Sequence, residues 1–451
     1  VHRFSKFFRL KLAPPQVVSL GFAGVILLGA ILLALPIASK SGHSLRFLDA
    51  LFTSTSAVCV TGLVVVDTGT HFTQFGQFVI ISLIQVGGLG FMTFSTLLAI
   101  LLGKKIGLKE RLLIQESFNQ LTLSGLVKLI RNVIITTLIF EGIGGIILTI
   151  RFMADFPLQR ALAFGFFHSV SAFCNAGFDL FGQVFGPFTS ITHYVSDWTV
   201  VLTIGGLIVL GGLGFPVIVE LSKYRQTKHL SLHTKLVLSI TAILIVAGTI
   251  LILIFEFTNP RTLANAEPQT KFLGALFQSI TPRTAGYNSL DISKMRIGSW
   301  FIMIILMFIG ASPSSTGGGV KTTTFGVLMA TVAAAIHGKE DPEFFERRIA
   351  KDLVYKAITI VTVALALIAF VVLVMSLVEP YNFIQLLFET VSAFGTVGLT
   401  TGITPSLTDL SRILITITMF LGRVGPVTVM VALSAHNAHQ AKYIEERLMI
   451  G

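Results

Sequence analysis

Four short segments hold the residues whose types and spacing could do chemistry. They read Leu51-Phe52-Thr53-Ser54-Thr55-Ser56-Ala57, Phe166-Phe167-His168-Ser169-Val170-Ser171-Ala172, Leu276-Phe277-Gln278-Ser279-Ile280-Thr281-Pro282 and Leu387-Phe388-Glu389-Thr390-Val391-Ser392-Ala393. All share the pattern Phe-x-Ser/Thr-x-Ser/Thr. Nine or ten residues beyond the second-placed phenylalanine stands a glycine with apolar or hydroxyl neighbours: Thr61-Gly62-Leu63, Ala176-Gly177-Phe178, Ala285-Gly286-Tyr287 and Val397-Gly398-Leu399. Successive glycines are 115, 109 and 112 residues apart, which makes the chain a fourfold internal repeat. A glycine lets the backbone turn its carbonyls without a Cβ clash. Carbonyl oxygens from four copies can replace the water around a dehydrated monovalent cation.

The elements that must position these segments lie in a membrane. Of the 451 residues 53% are hydrophobic and 12% charged, half the charge of an average soluble chain. Eight apolar runs are long enough to cross the bilayer as helices, about 20 residues each: 17–39, 77–102, 132–150, 198–220, 236–256, 297–336, 357–378 and 412–435. Each gap from an odd to an even run holds one repeated segment, too short to cross, as a re-entrant half-helix is. Its C-terminal end points to the centre, where the helix dipole favours a cation. The expected fold is an all-α polytopic membrane protein: four repeats of transmembrane helix, re-entrant pore loop and transmembrane helix, in pseudo-fourfold arrangement around one pore. The expected division is an N-terminal arm 1–16, repeats 17–111, 112–229, 230–345 and 346–435, and a C-terminal tail 436–451.

Charge placement orients the chain. Of its 33 Lys and Arg, twenty-one fall in the arm, the even-to-odd connections and the tail, against ten on the other side. Short basic loops stay in the cytoplasm, so both termini are expected there. The excess of +11 therefore serves topology, and nucleic-acid binding is disfavoured. The first run follows a basic arm and precedes many spans, so it is expected to be retained rather than cleaved. Cys59 and Cys174 are too few for a disulfide framework; they occupy matching positions and read as small packed residues.

The second helix of each repeat has a glycine-rich centre: Gly87-Gly88-Leu89-Gly90, Gly211-Gly212-Leu213-Gly214, Gly310-Ala311-Ser312-Pro313 and Gly422-Arg423-Val424-Gly425-Pro426. In the first two, small residues are expected to serve close helix packing. The third continues as Ser314-Ser315-Thr316-Gly317-Gly318-Gly319, and so many poor helix formers must break the helix. Unwound backbone at that depth needs protein or a water-filled cavity around it, which places Gly310 to Gly319 beneath the carbonyls as a polar plug. Gly319-Val320-Lys321-Thr322 looks like a phosphate loop, but Val320 separates the glycine from the lysine and no strand precedes it. Lys321 and Arg423 are basic residues inside apolar runs, a functional-site signal. Arg423 is expected near the plug, holding it through backbone carbonyls or setting a positive barrier; Lys321 can snorkel to the inner interface. Glu141 stands alone in the third run and reads as an interhelical contact.

Thr396-Val397-Gly398 repeats the start of the potassium-channel filter sequence TVGYG, and Thr284-Ala285-Gly286-Tyr287 approaches it. Over its whole length the chain resembles the superfamily of potassium transporters that includes bacterial Trk and Ktr membrane subunits and plant HKT proteins. It is most similar to the Ktr membrane subunit. The resemblance implies an ion-binding filter of Val60, Thr61 and Gly62, Asn175, Ala176 and Gly177, Thr284, Ala285 and Gly286, and Thr396, Val397 and Gly398. It implies potassium as the ion, because all four filter positions are glycine, and it assigns the intramembrane loop as a gate. Leu63, Phe178, Tyr287 and Leu399 are not followed by a second glycine, so the narrow region should be shorter than a channel's. Arg283 occupies the position of Cys59, Cys174 and Gly395 and is expected to point away from the axis and brace its loop.

The resemblance further implies a bacterial plasma-membrane protein, a homodimer of two complete pores, controlled by a separate cytosolic nucleotide-binding ring. The nucleotide belongs to that ring; this chain takes no covalent cofactor. The basic inner loops and the tail from His436 are the expected docking surface. The chain has no nucleotide-binding signature of its own, so ions should move down a gradient. A sodium- or proton-coupled symporter would use the same scaffold. A polytopic membrane enzyme is the third class; neither a His pair at metal-ligand spacing nor paired acids within the spans supports it.

Overall fold

The computed structural model describes residues 14–90, 126–425 and 428, and each quarter of the chain builds the same unit within them. A long helix is followed by a short pore helix, an extended return, and a second helix. The first quarter has α1 (Pro14–Ala34), pore helix α2 (Phe47–Val58) and α3 (Gln74–Leu89). The second has α4 (Leu126–Phe152), pore helix α5 (Leu158–Phe173), α6 (Trp198–Leu213) and α7 (Phe215–Thr227). The third has α8 (Leu232–Glu256), pore helix α9 (Pro268–Ile280), α10 (Ile297–Phe308) and α11 (Thr322–Ile336). A two-residue-per-strand hairpin, β1 (Glu343–Phe344) with β2 (Arg347–Arg348), leads to α12 (Lys351–Val378), pore helix α13 (Phe383–Phe394) and α14 (Asp409–Val424).

The repeated hydroxyls explain how pore helix and long helix join. Ser54 Oγ donates to the Ile26 carbonyl at 2.7 Å, Ser169 Oγ to Glu141 at 2.7 Å and Ser279 Oγ to Ile245 at 2.8 Å. Beside each lies a glycine of the long helix, Gly29, Gly144 or Gly248, where any Cβ would collide with that hydroxyl. Small residues permit such close approach in lipid, where apolar surface alone does not drive helices together. In the fourth repeat Thr390 Oγ1 donates to Leu386 O of its own helix at 2.8 Å and lies 3.7 Å from Met375 Sδ of the long helix. The second helix of each repeat then packs on the pore helix of the next: α3 on α5, α6 on α9, α10 on α13, and α14 back on α2. That last contact closes the ring. Arg412 with Asp49, at 2.5 Å, and Arg46 with Asp409 tie the fourth repeat to the first at the same seam.

Outward faces of the long helices are apolar and open. Leu20, Leu27, Leu28 and Ile31 on α1, and Leu138, Ile143, Ile146 and Ile150 on α4, are all more than half exposed. Contiguous apolar surface of this extent belongs in hydrocarbon.

Four of the eight expected spans are interrupted, at Gly90, at Gly214, between Phe308 and Thr322, and at Gly425. Among the described residues four helices are long and apolar enough to cross by themselves: Gln16–Ala34, Ile130–Phe152, Leu232–Glu256 and Lys351–Val378. The second helices are broken, and α6 with α7 is apolar and long enough to cross only when the two are taken together. α6 and α7 meet at 99°, and the turn is Gly214, with φ +91°. α3 stops before Gly90 at φ +83° and α14 before Gly425 at φ +97°, the left-handed conformation that ends helices. The third breaks between α10 and α11, as its composition predicts. The glycine clusters thus do two things. Gly87 and Gly211 pack, since a Cβ on either would overlap the carbonyl of Val58 or Phe173 of the repeat's own pore loop, and the last glycine of each cluster breaks the helix. The continuations expected over 91–102 and 429–435, the repeat boundary at 111 and the tail from His436 lie outside the described residues.

Candidate functional site

The four repeated glycines meet. A Cβ on Gly62 would overlap the Ala176 carbonyl oxygen and come within 3.3 Å of the Gly177 Cα. One on Gly177 would lie 2.5 Å from the Ala285 oxygen and 2.8 Å from the Gly286 Cα. One on Gly286 would lie 2.5 Å from the Val397 oxygen, and one on Gly398 would overlap the Thr61 oxygen, 2.9 Å from the Gly62 Cα. The contacts run from repeat one to two, three, four and back to one. Each glycine is therefore seated against the carbonyl of the residue before the next glycine, and all four have positive φ, between 71° and 91°.

The residue two before each glycine is also left-handed: Val60 at φ 51°, Asn175 at 58°, Thr284 at 64° and Thr396 at 49°. For β-branched residues this is a rare conformation, and strain of this kind, of order 1–3 kcal/mol per residue, persists where surrounding structure enforces it. An ordinary extended strand points successive carbonyls to opposite sides. Left-handed residues at alternate positions cancel that alternation and turn consecutive carbonyls the same way.

The amide hydrogens are spent on the pore-helix side. Thr61 N donates to Ser56 O at 2.7 Å, Ala176 N to Ser171 O at 2.8 Å and Val397 N to Ser392 O at 2.8 Å. Ala285 N donates to Thr281 O at 3.0 Å, a four-residue instead of a five-residue step, because the third loop is one residue shorter. The last hydroxyl of the repeated pattern completes the bracing: Gly62 N donates to Ser56 Oγ at 3.0 Å, Gly398 N to Ser392 Oγ at 3.1 Å, and Ser171 Oγ donates to Phe178 O at 2.8 Å. Those hydroxyls read from sequence as a pattern; their work as loop anchors was not legible there.

The break in the third repeat lies against this ring. A Cβ on Gly317 would overlap Thr284 Oγ1, one on Gly318 would overlap Thr396 Oγ1, and one on Gly319 would lie 3.2 Å from the Gly395 Cα. Thr316 Oγ1 lies 3.1 Å from Phe173 O and 3.2 Å from Asn175 Oδ1. The loop folds back on itself, with Gly310 N on Val320 O at 2.8 Å and Ala311 N on Gly318 O at 3.3 Å. It also crosses to the second repeat: Ser312 N donates to Gly212 O at 3.0 Å, Thr316 N to Gly211 O at 3.2 Å, and Phe215 N to Ser314 O at 3.0 Å. Within the loop Ser315 Oγ donates to Ser312 O, and Pro313 presents its carbonyl to Gly214. The carbonyls that the broken α6 leaves without helical partners are thus taken up by the loop.

Arg423 performs the same service for the first repeat. Its guanidinium donates to the carbonyls of Gly87 and Gly88, at the end of α3, and to that of Thr316 in the loop. One side chain joins repeats one, three and four. Lys321 does not snorkel: its Nζ donates to Gly317 O at 2.8 Å, turning back onto the loop. Glu141 has interhelical partners, accepting from Gln85 Nε2 at 3.1 Å with Cys174 Sγ 3.6 Å away. Cys59 and Cys174 are free and buried, as packed residues should be. Arg283 is 4% exposed, and its Nε and Nη2 have no hydrogen-bond partner among the described residues. The contact that ties this residue to its neighbour is made by its carbonyl, which accepts from Asn175 Nδ2 at 3.2 Å.

This sequence and this multi-span helical fold have counterparts among known proteins. The TrkH family model, described as cation transport protein, matches residues 22–444. The chain belongs to this family. Ktr system potassium uptake protein B of Bacillus subtilis (strain 168) is 42% identical over 442 residues, covering 98% of each chain. Potassium/sodium uptake protein NtpJ of Enterococcus hirae is 40% identical over 453 residues, covering 99% of each. The crystal structure of the potassium transporter TrkH from Vibrio parahaemolyticus aligns with TM-score 0.72 over 95% of this chain and 86% of that one. At 15% identity it speaks for the fold. Membership in the TrkH family, and close relation to Ktr membrane subunits, makes this a multi-pass membrane cation transporter and sets the enzyme reading aside.

Proposed function

We propose that this TrkH-family chain carries potassium into the cell through the glycine ring, with the loop Gly310–Gly319 as its gate and Arg423 and Lys321 as the residues that hold the gate in place. The observation that carries this reading is the cyclic seating of Gly62, Gly177, Gly286 and Gly398 against one another's preceding carbonyls. Oxygens so held by four pore helices suit a dehydrated monovalent cation, because the loop anchors fix their spacing before the ion arrives. The one-glycine motif gives a short filter with few stacked ion positions. Each repeat, divided at 17–111, 112–229, 230–345 and 346–435, contributes one quarter. An inside-negative potential favours inward movement by about 2.3 kcal/mol per charge per 100 mV, so uptake needs no ATP at this chain. Control falls to a cytosolic nucleotide-binding ring docked on the basic inner loops and tail of a homodimer, each protomer with its own pore.

A second reading, sodium-coupled symport, has one observation in its favour: the Enterococcus relative is named a potassium/sodium uptake protein. Reconstitution in vesicles separates the two. Under an imposed potential, rubidium tracer uptake should be displaced by external potassium, only weakly by sodium, and should proceed without sodium. Gly62→Ser should narrow the potassium-over-sodium preference. Strict sodium dependence of uptake would establish symport instead, and an unaltered preference in Gly62→Ser would remove the first repeat from the filter.

A further inference from the structure

Away from the ring, a groove of about 730 Å3 opens on the outside of the protein between α3 of the first repeat and pore helix α5 of the second. Its composition changes with depth. At the ends where both helices begin, it is lined by Lys40, Gln74, Gln77 and Arg160; further along it is lined by Phe78, Ile81, Phe166 and Val170. Phe78 is 68% exposed and Phe166 42% exposed, so the lower walls stand open. Both basic residues at the mouth are exposed. Lys40 Nζ donates to the Gly69 carbonyl at 2.6 Å and the Arg160 guanidinium lies 6.0 Å from the Phe164 ring. Among the described residues neither forms an ion pair.

We propose that this groove binds an anionic phospholipid of the leaflet on the pore-helix side. Its phosphate diester sits between Lys40 and Arg160, with Gln74 and Gln77 as further donors, and one acyl chain lies along Phe78, Ile81, Phe166 and Val170. The charge selects the headgroup. Two cations without a carboxylate leave the mouth positive, which a zwitterionic lipid offsets less well than a net-negative one. The depth gradient selects a lipid over a peptide, whose backbone would find no hydrogen-bond partners along the apolar walls. Occupancy has a consequence for the ring. Phe166 packs on Gly145 of α4, and one turn beyond it Val170 O accepts from Cys174 N, at the start of the left-handed turn at Asn175. A lipid in the groove therefore braces the pore helix that holds the second quarter of the ring.

The test uses the full chain, purified in mild detergent and exposed to phosphatidylcholine vesicles with or without phosphatidylglycerol, then examined by native mass spectrometry for retained lipid. The wild type should retain phosphatidylglycerol over phosphatidylcholine. Lys40→Gln/Arg160→Gln should weaken that retention about thirtyfold, each basic group near an anionic surface contributing roughly a fivefold factor. Ala163→Trp, which fills the groove and leaves the charges, should also displace the lipid. Arg261→Gln/Lys271→Gln, on the same side but outside the groove, should retain it. Equal retention by the wild type and Lys40→Gln/Arg160→Gln, equal binding of both lipids, or an equal loss in the Arg261/Lys271 control would overturn the proposal. So would spontaneous cross-linking of two copies through Ala163→Cys, which would make the groove a protein interface.

Discussion

Gly398→Ala is expected to reduce potassium flux at least about tenfold while leaving the protein folded and in the membrane. Two effects act together. At φ +91° an alanine bears a conformational strain of about 1–2 kcal/mol, and its methyl overlaps the Thr61 carbonyl oxygen. The second effect is the larger, because in the proposed filter that carbonyl is one of the four around the cation. Displacing it opens one side of the oxygen cage, and each 1.4 kcal/mol added to the barrier slows passage tenfold. The same substitution at Gly402, which also has positive φ but nothing within 4 Å of its Cβ position, carries the strain without the collision. Tracer flux in vesicles, normalised to protein recovered as a monodisperse species, compares the two. A Gly398→Ala flux no lower than that of Gly402→Ala would show that the Thr61 carbonyl is not part of the path.

Arg423→Ala is expected to raise flux and blunt regulation. The guanidinium joins the Thr316 carbonyl of the loop to the Gly87 and Gly88 carbonyls of the first repeat. Hydrogen bonds to a charged group contribute about 1.5–3 kcal/mol each, so losing the bond to Thr316 alone moves the loop equilibrium by a factor of about ten or more. Lys321, bonded only within the loop at Gly317, cannot replace that tether. Deleting Ser312 to Gly318 should have the larger effect, removing the segment seated against Thr284 and Thr396. Flux at a fixed membrane potential measures both. Unchanged flux with unchanged regulation in the deletion would count against a gate.

How much of this was legible in the sequence depends on whether one residue type can do one thing or two. The repeated segments were legible because their hydroxyls recur in register: Ser54 and Ser169 reach their long helices, and Ser56 and Ser392 hold their loops. The break in the third repeat was legible because proline and consecutive glycines leave no helical alternative. The breaks at Gly90, Gly214 and Gly425 were not, since a glycine that packs and a glycine that turns look alike. Gly87 and Gly211 pack three residues before the ones that turn. Of the left-handed residues only Asn175 is of a type enriched in that conformation, and the sequence reading placed it in the filter without that conformation. Val60, Thr284 and Thr396 adopt that conformation against their β-branched preference, because anchors in other segments impose it. Arg283 is a similar case: its type predicted partners, and its burial denied them to Nε and Nη2.

The central claim is that four peptide carbonyls, those of Thr61, Ala176, Ala285 and Val397, surround one travelling cation. Crystals grown or soaked in thallium, a monovalent ion of potassium's size with strong anomalous scattering, test it directly. The account predicts an anomalous peak on the ring axis, within coordinating distance of oxygens from all four repeats, weakened by competing potassium. A ring empty of thallium, with the ion bound elsewhere in the protein, would contradict it.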